Sequence, residues 1–121
     1  MLARRTILHM GLCAALVALA GCQTRSLVDA HRRARLRYDE GEYRACVRAC
    51  NRWLRLYGEV RPDLAPSAQF YKGLAYKAMG EPDKARLVFQ EICDRYAAAP
   101  DSHPAARWRQ YAREQLNTLG D

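Results

Sequence analysis

The pattern Gly41-Glu42-Tyr43-x-x-Cys46 returns 39 residues later as Gly80-Glu81-Pro82-x-x-Ala85, and no other feature constrains the fold as strongly. At the same offset Cys50 matches Phe89, Trp53 matches Ile92 and Tyr57 matches Tyr96, so an interior face is repeated together with a turn. A third copy starts after Pro104: a shift of 40 puts Tyr111 on Tyr71, Leu116 on Tyr76, Gly120 on Gly80 and Asp121 on Glu81. Repeats of this length are supersecondary units that bury a face on their neighbours. A chain of 121 residues holds one small domain of that kind.

Apolar spacing predicts five helices. Ser26 with Asp29 three residues on, and a stop at Gly41, predict a first helix over 26–40 with a capping box and a glycine C-cap. Tyr43, Cys46, Val47, Cys50, Trp53, Leu54 and Tyr57 form the stripe of a second over 43–57, ending at Gly58. A turn through Pro62 leads to Pro66 in the first turn of a third, which carries Phe70, Tyr71, Leu74, Ala75 and Ala78 and runs to Met79. Glu81-Pro82-Asp83 opens a fourth helix with Ala85, Val88, Phe89, Ile92, Cys93 and Tyr96 on one face. Asp101-Ser102-His103-Pro104 opens a fifth, whose face is Ala105, Trp108, Tyr111, Ala112, Leu116 and Leu119. No segment alternates as a strand does, so the expected class is all-α. Half the residues are hydrophobic and 27% are charged, too apolar a balance for a disordered chain.

The front of the chain points to an address. Arg4 and Arg5 precede a run from Ile7 to Ala20 without acid, lysine or arginine, and at about 14 residues it is too short to span a bilayer. This predicts a signal peptide over 1–21. Its closing residues, Leu19-Ala20-Gly21-Cys22, resemble the lipobox of bacterial lipoproteins. The resemblance implies cleavage before Cys22, a thioether-linked diacylglycerol on that cysteine, a tether over 22–25 and a helical domain over 26–121. Two or three acyl chains, at about 0.8 kcal/mol per buried CH₂, anchor a protein without a membrane span. The alternative is ordinary secretory cleavage that leaves Cys22 free. The stretch Ala3-Arg4-Arg5-Thr6-Ile7-Leu8 resembles the twin-arginine signal, although Ala3 and His9 depart from its usual flanks. Gln23 after the cysteine resembles the sorting signal for the outer membrane, with the inner membrane as the alternative.

Charge and cysteine usage narrow the classes further. The formal charge is +7, and beyond Arg4 and Arg5 there remain 18 bases, 15 of them arginine, against 13 acids. Arg25, Arg32, Arg33, Arg35 and Arg37 face only Asp29 within their span. On a helix Arg25, Arg32 and Arg33 can share a side, which suits anionic headgroups, while Arg35 and Arg37 point elsewhere; a plain solvated face is the alternative. Cys46, Cys50 and Cys93 remain once Cys13 and Cys22 are set aside. A separation of four on one helix suits a disulfide poorly, so the expectation is buried thiols, with a bridge to Cys93 as the alternative. Cys46, Cys50 and His103 lack the paired spacing of a metal site, so no metal or other cofactor is expected.

Gly73, Tyr76, Gly80, Ala85 and Phe89 stand 3, 4, 5 and 4 residues apart, and these residues resemble the tetratricopeptide repeat. The first copy keeps Ala34, Gly41 and Tyr43, places Arg37 where an aromatic is usual, and has five extra residues before the second. Phe70-Tyr71-Lys72-Gly73 and Tyr96-Ala97-Ala98-Ala99-Pro100-Asp101-Ser102 are similar to the longer repeats of periplasmic coordinators and barrel-assembly lipoproteins. The resemblance implies two antiparallel helix-hairpin repeats with a C-terminal capping helix. An unrelated five-helix bundle is the alternative. It also implies a concave surface lined by His31, Arg35 and Tyr38, by Phe70, Leu74 and Lys77, and by Gln110 and Glu114. So shallow a groove suits a short peptide or a partner helix, although Phe70 and Leu74 read equally well as core.

Other functions find less support. Asp39, Glu40 and Glu42 read as a solvated helix end, and His31 and His103 have no nucleophile at a recognised spacing, so an enzyme acting on a small molecule is not expected. A pI near 9.5 suggests nucleic acid, yet the export signal and the lack of an aromatic-basic motif oppose it. The expectation is an outer-membrane-anchored periplasmic lipoprotein, a protein-binding scaffold or adaptor in envelope assembly. Alternatives are a pilotin-like accessory of a secretion or pilus machine and a cell-wall or lipid-surface protein.

Overall fold

The structure, a computed structural model, describes residues 25–120. The signal peptide, Cys22 and most of the expected tether lie outside these residues. Five helices and no strand are found among the described residues: α1 over residues 25–39, α2 over Tyr43–Tyr57, α3 over Ala65–Ala78, α4 over Pro82–Arg95 and α5 over Pro104–Leu119. The class is all-α, as expected. The chain divides into two compact units after Ala30, and of the first unit residues 25–30 are described and helical. Because the backbone is already helical at Arg25, Ser26 does not cap α1. That corrects the expected capping box.

In the second unit the repeated sequence makes a repeated turn. At the end of α1, Glu42 N–H donates to Arg37 C=O at 2.9 Å and Gly41 N–H to Tyr38 C=O at 3.0 Å. After α3, Glu81 N–H donates to Tyr76 C=O at 3.0 Å and Gly80 N–H to Lys77 C=O at 3.1 Å. Both are Schellman motifs, which need a left-handed residue, and Gly41 and Gly80 have φ of 76° and 74°. Pro82 sits in the first turn of α4, where its missing N–H costs nothing, and Asp83 follows it there. At α5 the cap is His103, whose Nδ1 accepts from Ala105 N–H at 3.0 Å.

α3 is the centre of this unit. It packs on α2, α4 and α5, and its Ser67 and Tyr71 also meet His31, Arg35 and Tyr38 of α1. Ala34, Cys46, Val47, Cys50 and Ala75 form one buried cluster, and Phe70, Ala85, Val88, Phe89, Ile92 and Ala112 form another. Tyr71 and Tyr76 pack against both. No helix among the described residues is long and apolar enough to cross a membrane.

Candidate partner-binding face

Five aromatic rings run in unbroken contact from α1 across α3 to α5. Tyr38 lies 5.7 Å from Tyr71, Tyr71 6.3 Å from Phe70, and Phe70 5.5 Å from Trp108 and 6.0 Å from Tyr111. Trp108 and Tyr111 meet edge to face at 5.6 Å. Edge-on and tilted pairs at these distances are attractive beyond the area they bury. The ribbon is wet at its α5 end, where Tyr111 is 38% exposed, and half-buried at Tyr38, Tyr71 and Trp108.

The expected groove residues separate into two groups. Arg35 lies over the Tyr71 ring at 4.7 Å and donates to its hydroxyl at 3.2 Å, and the Arg35 Nε is buried without an acceptor. Tyr38 belongs to the ribbon and Leu74 packs against the buried cluster that holds Phe70, both half-buried. Burial raises the Tyr38 hydroxyl above its ordinary pKa, so it remains a neutral hydrogen-bonding group. Lys77 is exposed and bridges to α5, donating to Gln115 Oε1 at 2.8 Å and Thr118 Oγ1 at 3.3 Å. Gln110 and Glu114 are exposed and bonded to each other at 3.4 Å. His31 and Phe70, at 4% and 7% exposure, are interior and present no side chain to a partner.

The reason His31 is interior lies in its partners. Ser67 Oγ donates to Leu64 C=O at 2.8 Å, which leaves that hydroxyl to accept from His31 Nε2–H, also at 2.8 Å. The imidazole stands edge-on to Trp53 at 4.9 Å. Burial foremost, then the neighbouring Arg35 charge, lowers the His31 pKa below its ordinary value. The ring therefore ties α1 to α3 as a neutral group.

Two features escaped the sequence reading. Arg109, which belongs to none of the expected apolar faces, is 8% exposed, and its Nη1 donates to the carbonyls of Tyr96, Ala97 and Ala99 at 2.7, 3.3 and 2.8 Å. It closes the C-terminal end of α4, where carbonyls lack helical partners. Arg44, Arg48, Arg52 and Arg55 line one exposed side of α2, and none of them is in an ion pair among the described residues. Arg25, Arg32 and Arg33 are likewise exposed, whereas Arg37 pairs with Glu42 at 2.6 Å.

Cys46 and Cys50 are buried free thiols with Sγ atoms 3.9 Å apart, and Cys93 is a half-buried one. The hydrogen bond to Cys46, with burial behind it, raises the Cys50 thiol far above its ordinary range, and burial raises Cys93 too. No group of three His, Cys, Asp or Glu side chains that could hold a metal occurs among the described residues. No family model matches the chain, and neither does any curated protein or solved structure.

Proposed function

We propose that this protein is a lipid-anchored component of the bacterial envelope whose stacked helix hairpins, of tetratricopeptide type, hold a short peptide or a partner helix on the faces of α1, α3 and α5. The observation that carries the reading is the aromatic ribbon from Tyr38 to Tyr111. Half-buried aromatics beside polar groups such as Arg35, Lys77 and Gln110 have the composition of a protein-binding patch, in which Tyr, Trp and Arg carry most of the energy. The 39-residue repeat of the turns at Gly41 and Gly80 supports the hairpin arrangement, because alternate helices of such a stack line one surface. The role is that of a non-catalytic adaptor.

The anchor rests on Leu19-Ala20-Gly21-Cys22, and the location on the periplasmic face of the outer membrane rests on Gln23. Arg25, Arg32 and Arg33 would face anionic headgroups. The deciding experiment is affinity capture by the full chain from detergent-solubilised membranes, with Tyr111→Ser run in parallel. A stoichiometric protein lost with Tyr111→Ser supports the reading, and a secretion or pilus component as that protein favours the pilotin-like alternative. Capture that ignores Tyr111 removes the ribbon as the binding face. Mass spectrometry of the N-terminal peptide tests the anchor separately, since an unmodified Cys22 would end it.

A further inference from the structure

Cys46 and Cys50 stand one helical turn apart on α2, both fully buried, with their Sγ atoms 3.9 Å from each other. At a metal–sulfur bond of about 2.3 Å, two sulfurs of a trigonal site are about 4.0 Å apart. The pair is therefore already spaced as one edge of such a triangle. A third sulfur belongs to the same neighbourhood: Met79, half-buried where α3 ends, packs against the cluster that holds both thiols. None of the three is a ribbon residue. The thiols share a hydrogen bond, which holds Cys46 below its ordinary pKa while Cys50 is raised far above its own. The pair thus parts with a first proton more easily than with a second. A monovalent ion taking the place of that second proton leaves the charge of the pair unchanged, and the positive charges of Lys72 and Arg35 favour a thiolate at Cys50.

We propose that Cys46, Cys50 and Met79 form a binding site for a soft monovalent ion, Cu(I). Thiolate and thioether are the donors that select it, whereas zinc asks for four ligands and no third His, Cys, Asp or Glu joins the pair among the described residues. Binding breaks two S–H bonds and makes two S–Cu bonds. Both protons leave to solvent, the thioether donates a lone pair, and copper stays Cu(I) throughout. The ion enters from a cavity of about 350 Å³ at the turn between α1 and α2, whose wall includes Gly41, Tyr43, Ala45 and Met79. Met79 is the movable part of that wall, since its side chain is unbranched and adaptable. Paired-cysteine spacing is absent because helical register, rather than a loop, brings the thiols together.

The test is anaerobic titration of the full chain in detergent micelles with Cu(I) supplied as its coloured bicinchoninate complex. The protein is expected to withdraw one Cu(I) per chain, and Cys93→Ala should do the same. Cys46→Ala and Cys50→Ala should each weaken binding by about a hundredfold or more, and Met79→Leu, which keeps the volume, by about tenfold. Because a cysteine variant that fails to fold would also lose copper, X-ray absorption on the unaltered protein supplies a second reading: a shell of three sulfurs at about 2.3 Å is expected. No withdrawal of copper, full retention by both cysteine variants, or a shell of nitrogen and oxygen would overturn the proposal. Two sulfurs only, with Met79→Leu unchanged, would overturn the thioether as a ligand.

Discussion

Phe89 lies across Gly73 so closely that a Cβ at Gly73 would stand 2.6 Å from the ring's Cε1 and 2.8 Å from its Cζ. The glycine is what lets α3 and α4 approach. At the equivalent places of the first copy stand Ala34 and Cys50, in the same buried cluster: a methyl is added on one helix and a ring is absent from the other. Gly73→Ala gains about 1 kcal/mol of helix propensity. It also meets an overpacking cost of about 1–3 kcal/mol, since the new Cβ would press on the ring of Phe89, which is fully buried. The expected result is a net destabilisation of about 1 kcal/mol, read as a lower urea midpoint at unchanged slope. A midpoint that rises would show that the ring yields.

His31 makes stability depend on pH in a defined direction. Its folded pKa lies below the ordinary value near 6.5. Below that ordinary value the unfolded chain takes up a proton that the folded chain resists, so stability is complete above it and falls as the pH drops. Asp63 is likewise held below its ordinary value, by its hydrogen bonds from Arg61, so its effect has the same sign but lies lower, in the carboxylate range. The melting temperature should therefore fall between about pH 7 and pH 5, and His31→Gln should flatten that slope. An identical slope in the variant would assign the effect elsewhere.

Arg109 should be among the most costly polar residues to remove. Arg109→Met keeps the stem but leaves the carbonyls of Tyr96, Ala97 and Ala99 without their donor, an expected loss of about 2–3 kcal/mol. Arg109→Lys should recover only part of this, because an ammonium cannot copy the planar guanidinium. Full recovery with lysine, measured by denaturant unfolding, would mean that charge alone matters there.

The helices with one partner side were legible, and the central one was not. Cys46, Val47, Cys50 and Trp53 are the buried residues of α2 and lie in the stripe read from spacing. α3 is enclosed by its neighbours, so Ser67 and Gln69 are buried beside Ala68 and Phe70, and no single apolar face marks it. Amphipathic periodicity carries little information for a helix packed on several sides. Two polar interior residues outside α3 did leave a trace: His31 stands between Leu27 and Ala34, and Arg109 between Ala105 and Ala112, both at the i, i+4, i+7 spacing of a buried stripe. What spacing lacks is the partner, since the Ser67 hydroxyl is 36 residues from His31 and became its neighbour only through folding. The ribbon was half legible for the same reason. Tyr111 and Trp108 read as core, and the chain alone does not show that α5 leaves Tyr111 partly open.

The arginines offer the last test. Arg25, Arg32 and Arg33 are exposed and outside any ion pair among the described residues, while Arg35 is spent on Tyr71 and Arg37 on Glu42. The structure adds a second cationic strip on α2, Arg44, Arg48, Arg52 and Arg55, at the helical spacing that keeps four guanidiniums on one side. Each cation near an anionic bilayer contributes about 1 kcal/mol, and the attraction fades within a Debye length. A Cys22→Ser chain should therefore bind anionic vesicles more tightly than neutral ones, and less so at high salt. Arg32→Gln with Arg33→Gln should then reduce anionic binding by about 2 kcal/mol, some thirtyfold. The α2 strip, if it looks away from the bilayer, should tolerate Arg48→Gln with Arg52→Gln without such a loss. A loss confined to the α2 pair would turn the domain over on the membrane, and equal binding to both vesicle types would leave every one of these arginines as ordinary surface charge.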